Sequence, residues 1–134
     1  VCQGVPKNLD SVVKLNIANK RNPSKPNQSI TKYKVIKNKN KLSVILFSPL
    51  TGKTHQLRIV SKHLGCPIIG DIKYNKQKKY NLEKLKLNAY FLQFNINNKK
   101  YEFKSKLPNH FNEFLANNKI TTIIDNNLSY FLNF

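Results

Sequence analysis

Residue types capable of chemistry crowd into one stretch, Pro49-Leu50-Thr51-Gly52-Lys53-Thr54-His55-Gln56-Leu57-Arg58. Gly52-Lys53-Thr54 invites a phosphate-cradling loop, where glycines let backbone N–H groups close on the phosphate and a lysine follows. Such a loop needs another glycine five residues before Gly52, and Phe47 stands there, so nucleotide triphosphate hydrolysis is set aside. His55, His63, His110 and Cys66 are the types that bind metals, but no two have the close spacing that gathers ligands on one helical face or turn. The histidines read as ordinary surface or half-buried side chains. Arginine is more informative: 22 of the 24 basic residues are lysine, leaving Arg21 and Arg58. Only these two offer a planar fork able to grip a carboxylate or phosphate through parallel bonds.

The elements around this stretch must hold it. Leu57, Val60 and Leu64 recur at helical spacing, with Thr54 as a candidate N-cap and Gly65 as a stop, so a short amphipathic helix is expected over residues 55–64. Upstream, Ile30 to Lys37 alternates lysine with apolar residues, setting Tyr33 and Val35 on one face and Lys32 and Lys34 on the other. The run resumes over Leu42 to Phe47 after Asn38-Lys39-Asn40, which predicts a hairpin. A second hairpin is expected from Tyr90 to Ser105 about Asn97-Asn98. Asn109 is a candidate cap for a helix that aligns Phe111, Phe114 and Leu115. Residues 1–6 read as a strand end entering a turn, Lys7 to Gln28 as a basic loop, and Cys66 to Ile69 as a brief extended segment. Gly70-Asp71 closes that segment, the stretch that follows to about Tyr80 reads as lysine-rich surface, and Ile120 to Phe134 as an apolar, asparagine-rich segment without clear period.

The chain has 134 residues, 40% of them hydrophobic, which suits a single domain with its own core. Its apolar runs are only a few residues long, as in Val44-Ile45-Leu46-Phe47, against the roughly 18 that span a bilayer. Cys2 and Cys66 form no disulfide framework or zinc spacing, and a reducing, cytoplasmic setting is expected. No signal peptide opens the sequence and no methionine occurs in it. We therefore expect a processed product or the C-terminal piece of a longer chain. The net charge of +18 favours a polyanionic partner such as RNA, although lysine and asparagine are also what AT-rich coding sequence supplies.

Two linked motifs carry a resemblance. Thr51-Gly52-Lys53-Thr54-His55-Gln56-Leu57-Arg58 is followed by Leu64-Gly65-Cys66-Pro67-Ile68-Ile69-Gly70-Asp71-Ile72-Lys73-Tyr74. Together they resemble the signature of the RluA/RluC-type pseudouridine synthases, Thr-Gly-Arg-Thr-His-Gln-Ile-Arg and then Leu-Gly-His-Pro-Ile-x-Gly-Asp-x-x-Tyr. The likeness extends through Thr31 to Val35, Leu87-Asn88-Ala89 and Leu107-Pro108. It covers residues 1–119 and leaves 120–134 as a tail. It implies an α+β fold, mainly antiparallel sheet with flanking helices, as the C-terminal part of the catalytic domain. It also implies isomerisation of uridine to pseudouridine in large-subunit (23S-type) ribosomal RNA, with no metal or organic cofactor and no membrane.

In that family an aspartate in an Arg-Leu-Asp motif attacks the flipped-out nucleotide. That triplet is not among these residues, so the resemblance implies a fragment that is inactive alone and completed by an N-terminal half, separately made or in frame. Arg58 matches the active-site arginine that pairs with the nucleophilic carboxylate, countering the desolvation that would protonate it. Leu57, Lys53 and His55 take substrate-binding positions. Asp71 matches a Gly-Asp turn, where its carboxylate is expected to cap backbone N–H groups. Lys53 stands where the family has arginine, Val60 and Cys66 where histidine is frequent, and Asn88 where the motif has histidine. A non-catalytic basic RNA-binding module and a vestigial split-gene product stay open as alternatives.

Overall fold

The computed structural model describes residues 1–19, 21–25, 27–122 and 124–132. Its strands are β1 (Cys2–Gln3), β2 (Asp10–Ile17), β3 (Asn27–Lys39), β4 (Leu42–Pro49), β5 (Phe91–Ile96) and β6 (Lys99–Lys104). Its helices are α1 (Gln56–His63), α2 (Asn109–Asn117) and α3 (Ser129–Leu132), with 3-10 turns at Lys78–Tyr80 and Asp125–Asn127. β1, β4, β3 and β2 form one sheet in that order, antiparallel throughout, while β5 and β6 pair only with each other. This is the α+β, mainly antiparallel architecture expected.

Both hairpins form where asparagine permits left-handed backbone. Asn40 and Lys41 have φ of 52° and 61°, and Asn97 and Asn98 have 49° and 61°. Two successive positive φ values give the turn whose twist matches its flanking strands. Tyr33 and Val35 are buried with Ser29 and Thr31 on one face of β3, as the alternation implies. Between Val35 and Lys37 the register slips by a bulge, and Ile36 packs into a different cluster from Val35.

Those clusters lie on opposite faces of the sheet, because neighbouring residues divide between them. Val1, Leu42, Val44 and Ile69 pack with Phe111, Phe114, Leu115 and Ile120, so α2 covers one face. Cys2, Ile45 and Ile68 pack with Tyr33, Val35 and Cys66 on the other, which α1 crosses, touching β2, β3 and β4. β4 is consequently buried on both faces over Leu42 to Ile45.

Several sequence expectations give way. Much of the supposed Lys7–Gln28 loop is strand, β2 pairing with β3 from Asp10 opposite Lys34 to Ile17 opposite Asn27. Val13, Leu15 and Ile17 do alternate with exposed Lys14 and Asn16, but the lysine and asparagine content mimics a loop. Thr54 does not cap α1. His55 occupies that position with φ 54° and makes no side-chain capping bond. Asn109 is the first residue of α2, after Pro108 at the cap. The lysine-rich surface stretch has one buried member, Asn75, which bonds Gln3 Oε1 at 3.1 Å and the Ile68 carbonyl at 3.3 Å. Beyond Ile120 a 3-10 turn and α3 form, and Phe131 is buried. Parts of these expectations, at Lys20, Pro26, Ile123, Asn133 and Phe134, lie outside the described residues. Among the described residues no helix is long and apolar enough to cross a membrane.

Candidate functional site

The loop from β4 to α1 is held by one amide. Buried Gln56 accepts from Thr51 Oγ1 at 2.8 Å and from the Lys53 backbone N–H at 2.9 Å through Oε1. Its Nε2 donates to Thr31 Oγ1 at 2.9 Å and to the Ile30 carbonyl at 3.2 Å. The first turn of α1 is thereby fastened to β3, with all four bonding directions of the amide engaged. His55 takes its left-handed conformation between these anchors, and its carbonyl accepts the Ile59 N–H at 2.9 Å.

On the next residues of α1 stand Leu57 and Arg58. Arg58 donates from Nε to Asp71 Oδ2 and from Nη2 to Asp71 Oδ1, both at 2.8 Å. The arginine side chain is 21% exposed and the aspartate side chain fully buried. Its Cζ lies 5.1 Å from the centre of the Tyr74 ring, and the Tyr74 hydroxyl is 3.1 Å from His55 Nδ1. Asp71 Oδ1 also accepts the backbone N–H groups of Lys73 and Tyr74, each at 3.1 Å, which is the turn-capping role expected of it.

Burial by itself would raise the Asp71 carboxyl. The Arg58 fork, the two backbone donors and the arginine charge together outweigh it and hold the group below the usual carboxylate range. The same fork pushes the Arg58 guanidinium higher still. The result is a fixed ion pair with one edge of the guanidinium spent. Among the described residues Nη1 has no hydrogen bond to protein.

Of the residues singled out from sequence, His55 and Arg58 meet around Tyr74. Leu57 is half-buried and lines an apolar trough of about 570 Å³ shared with Ile45, Phe47, Leu87 and Phe91. Lys53 is half-buried in the loop, anchored through its backbone. Asn88, where histidine was the family pattern, bonds Ser105 Oγ at 3.0 Å, while Val60 and Cys66 are core. Arg21 is exposed. Cys2 and Cys66 are free and buried, and burial lifts the Cys66 thiol to about 11, leaving it a poor nucleophile near neutrality. No group of three or more candidate metal-binding residues occurs among the described residues.

Sequence reasoning gave Gln56 and Tyr74 no individual role and did not pair Arg58 with Asp71. A signal for the pair existed: Asp71 is the only carboxylate between Asp10 and Glu83 in a strongly basic chain.

Models of known protein families give no match. Curated proteins do. The ribosomal large subunit pseudouridine synthase C of Rickettsia bellii is 41% identical over 88 residues, 63% of this chain and 29% of that protein. The ribosomal large subunit pseudouridine synthase D of Borreliella burgdorferi is 34% identical over 106 residues, 74% of this chain and 32% of its own length. An uncharacterised RNA pseudouridine synthase of Zymomonas mobilis is 27% identical over 124 residues, covering 84% and 57%. Among solved structures, human RNA pseudouridylate synthase domain containing 4 superimposes with a TM-score of 0.80 at 23% identity, covering 90% of this chain and 60% of that one. The chain therefore spans less than a third of the Rickettsia and Borreliella proteins it matches. In sequence it is a relative of the RluA/RluC-type RNA pseudouridine synthases, and it carries the fold of a pseudouridylate synthase domain.

Proposed function

We propose that residues 1–119 are the C-terminal part of a synthase that converts uridine to pseudouridine in large-subunit ribosomal RNA, with residues 120–134 as an added tail. The single observation that carries this reading is the geometry of Arg58. Its guanidinium is held by Asp71 on one edge and flanked by the Tyr74 ring, and the residue before it in the chain, Leu57, lines the trough. A cation fixed in this way can receive a second carboxylate on its remaining Nη1 edge without reorganising. In this reading that carboxylate is the nucleophilic aspartate, supplied by an N-terminal portion in frame or as a separate chain.

The uridine is drawn out of the RNA at a cost of a few kcal/mol, and its base is accommodated against Leu57. The aspartate bonds to the nucleotide and the N1–C1′ glycosidic bond breaks; the uracil turns, its C5 bonds to the ribose C1′ as the aspartate is released, and the proton lost from C5 is matched by one gained at N1. Reactant and product are isomers, so no co-reactant is consumed. Arg58 keeps the aspartate ionised and aimed, while Lys53 and His55 contact the RNA beside the flipped nucleotide.

The test is Arg58→Ala in the completed enzyme, scored by pseudouridine formation and by RNA affinity. Turnover is expected to disappear while affinity falls less than about threefold, since the role is exerted in the chemical step. Equal loss of both would remove the pairing role. The net charge of +18 favours one rival, a non-catalytic RNA-binding module. That rival predicts steeply salt-dependent binding and no isomerisation even when the N-terminal portion is present.

A further inference from the structure

The chain has 22 lysines, and among the described residues only Lys86 is buried, its side chain showing no exposure. An ammonium withdrawn from water is costly unless each of its N–H groups finds an acceptor. All three do. Nζ donates to Glu83 Oε2 at 3.0 Å, to the Lys84 carbonyl at 2.9 Å and to His110 Nδ1 at 3.0 Å. The last bond fixes the state of the imidazole, because an ammonium has no lone pair to offer. His110 has to be neutral, with its proton on Nε2. The Phe114 ring lies 5.4 Å from the same Nζ.

These bonds join parts that are far apart in the chain. His110 stands in the first turn of α2, which carries Phe111, Phe114 and Leu115 into the core. The Lys84 carbonyl is the group against which Gly70 packs, since a Cβ on Gly70 would lie 2.4 Å from its oxygen. The Lys86 backbone N–H donates to the Ile69 carbonyl at 2.9 Å. One ammonium thus ties α2 to the backbone beside Gly70 and Asp71. We propose that Lys86 and His110 form an acid-released latch: a proton on His110 removes the third acceptor, sets two cations in contact and frees α2 from the segment that supports the Gly70–Asp71 turn.

The surroundings of His110 sharpen the switch. Lys86 and Lys84 oppose a charge on the ring, Glu83 and Glu113 favour it, and the Phe111 ring packs beside it with 5.4 Å between centres. Lys86 itself also faces the Val1 ammonium, which donates to the Lys86 carbonyl at 2.8 Å. The N-terminal end of α2 adds partial positive charge of its own. Desolvation and the two lysines outweigh the two glutamates and hold the imidazole below its ordinary value. The latch is therefore intact above about pH 6.5 and is lost as the pH falls through the lowered folded value. It belongs to the fold and stands whether or not the chain isomerises uridine, although Asp71, which holds Arg58, lies in the turn it supports.

The experiment follows the histidine ring resonances of the 134-residue chain by NMR between about pH 8 and pH 5. Amide hydrogen exchange at Lys86 and Asp71 is measured over the same range and corrected for its intrinsic pH dependence. His110 is expected to titrate below the ordinary histidine range. Opening at the two amides is expected to grow by up to about tenfold per pH unit below about pH 6.5, until the lowered folded value is passed. His110→Asn sets an amide oxygen where Nδ1 stood, and its exchange is expected to stay flat across that window. Lys86→Met removes the cation at similar volume, and there His110 is expected to move back up toward the ordinary range.

A wild-type His110 that titrates in the ordinary range overturns the proposal, and so does one that Lys86→Met leaves unmoved. An acid step that persists in His110→Asn also overturns it, since another group is then its source. Should circular dichroism show that Lys86→Met does not fold, the comparison of wild type with His110→Asn decides alone. Pseudouridine formation enters none of these readouts, so failure of the catalytic reading and failure of the latch are told apart.

Discussion

At the residue scale the ion pair of Arg58 and Asp71 decides what the site can be. A buried carboxylate with three partners and no exposure is structural unless its guanidinium is also wanted elsewhere, and the unspent Nη1 edge is what makes a second role feasible. The pair also makes stability depend on pH. Because the folded-state Asp71 carboxyl lies below its ordinary range, its contribution is complete above about pH 4. It is lost as the pH falls through the lowered folded value, where the native carboxylate finally takes up the proton that the unfolded one already carries. Asp71→Asn keeps the shape and removes the charge. We expect it to cost about 2–4 kcal/mol at pH 7, toward the lower end for breaking a buried pair because Arg58 is partly exposed. Urea unfolding would show this as a lower midpoint, with a stability profile flatter than wild type below about pH 4. An unchanged acid slope would mean that the pair is not its source.

At the element scale the site depends on two backbone conformations that few residues tolerate. Gly70 opens the turn that carries Asp71, with φ of 81°, and a Cβ there would lie 2.4 Å from the Lys84 carbonyl oxygen and 2.5 Å from its carbon. Gly70→Ala is expected to cost more than about 2 kcal/mol, since backbone has to move to admit the methyl group. Gly52→Ala, with nothing within 4 Å, is expected to stay within about 0.5 kcal/mol. Thermal unfolding of the two variants checks both. The hairpin turns could be read from sequence because Asn97-Asn98 and Asn40 tolerate positive φ. The left-handed His55 could not, because Gln56 fastens the loop to the Ile30 carbonyl, 26 residues away in the chain. β2 went unread for a different reason: its alternation is real but shallow, with Val12 exposed on the outer face.

At the scale of the whole molecule, the net charge of +18 governs behaviour. On the proposed function, RNA binding is expected to weaken linearly in log K against log salt. Lys53→Ala should reduce that slope by about 0.9 if its ammonium neutralises one phosphate, and an unaltered slope, measured by titration at several salt concentrations, would deny Lys53 that contact. Sequence alone determined the family likeness, both hairpins, the run of α1 and the choice of Arg58, because each is written in neighbouring residues through period, turn chemistry or motif spacing. Tertiary structure decided that Arg58 meets Asp71, that Gln56 fastens the loop, and that one hairpin face stays open. Those contacts join segments distant along the chain, and their formation depends on how β3, β4 and α1 pack rather than on any local preference.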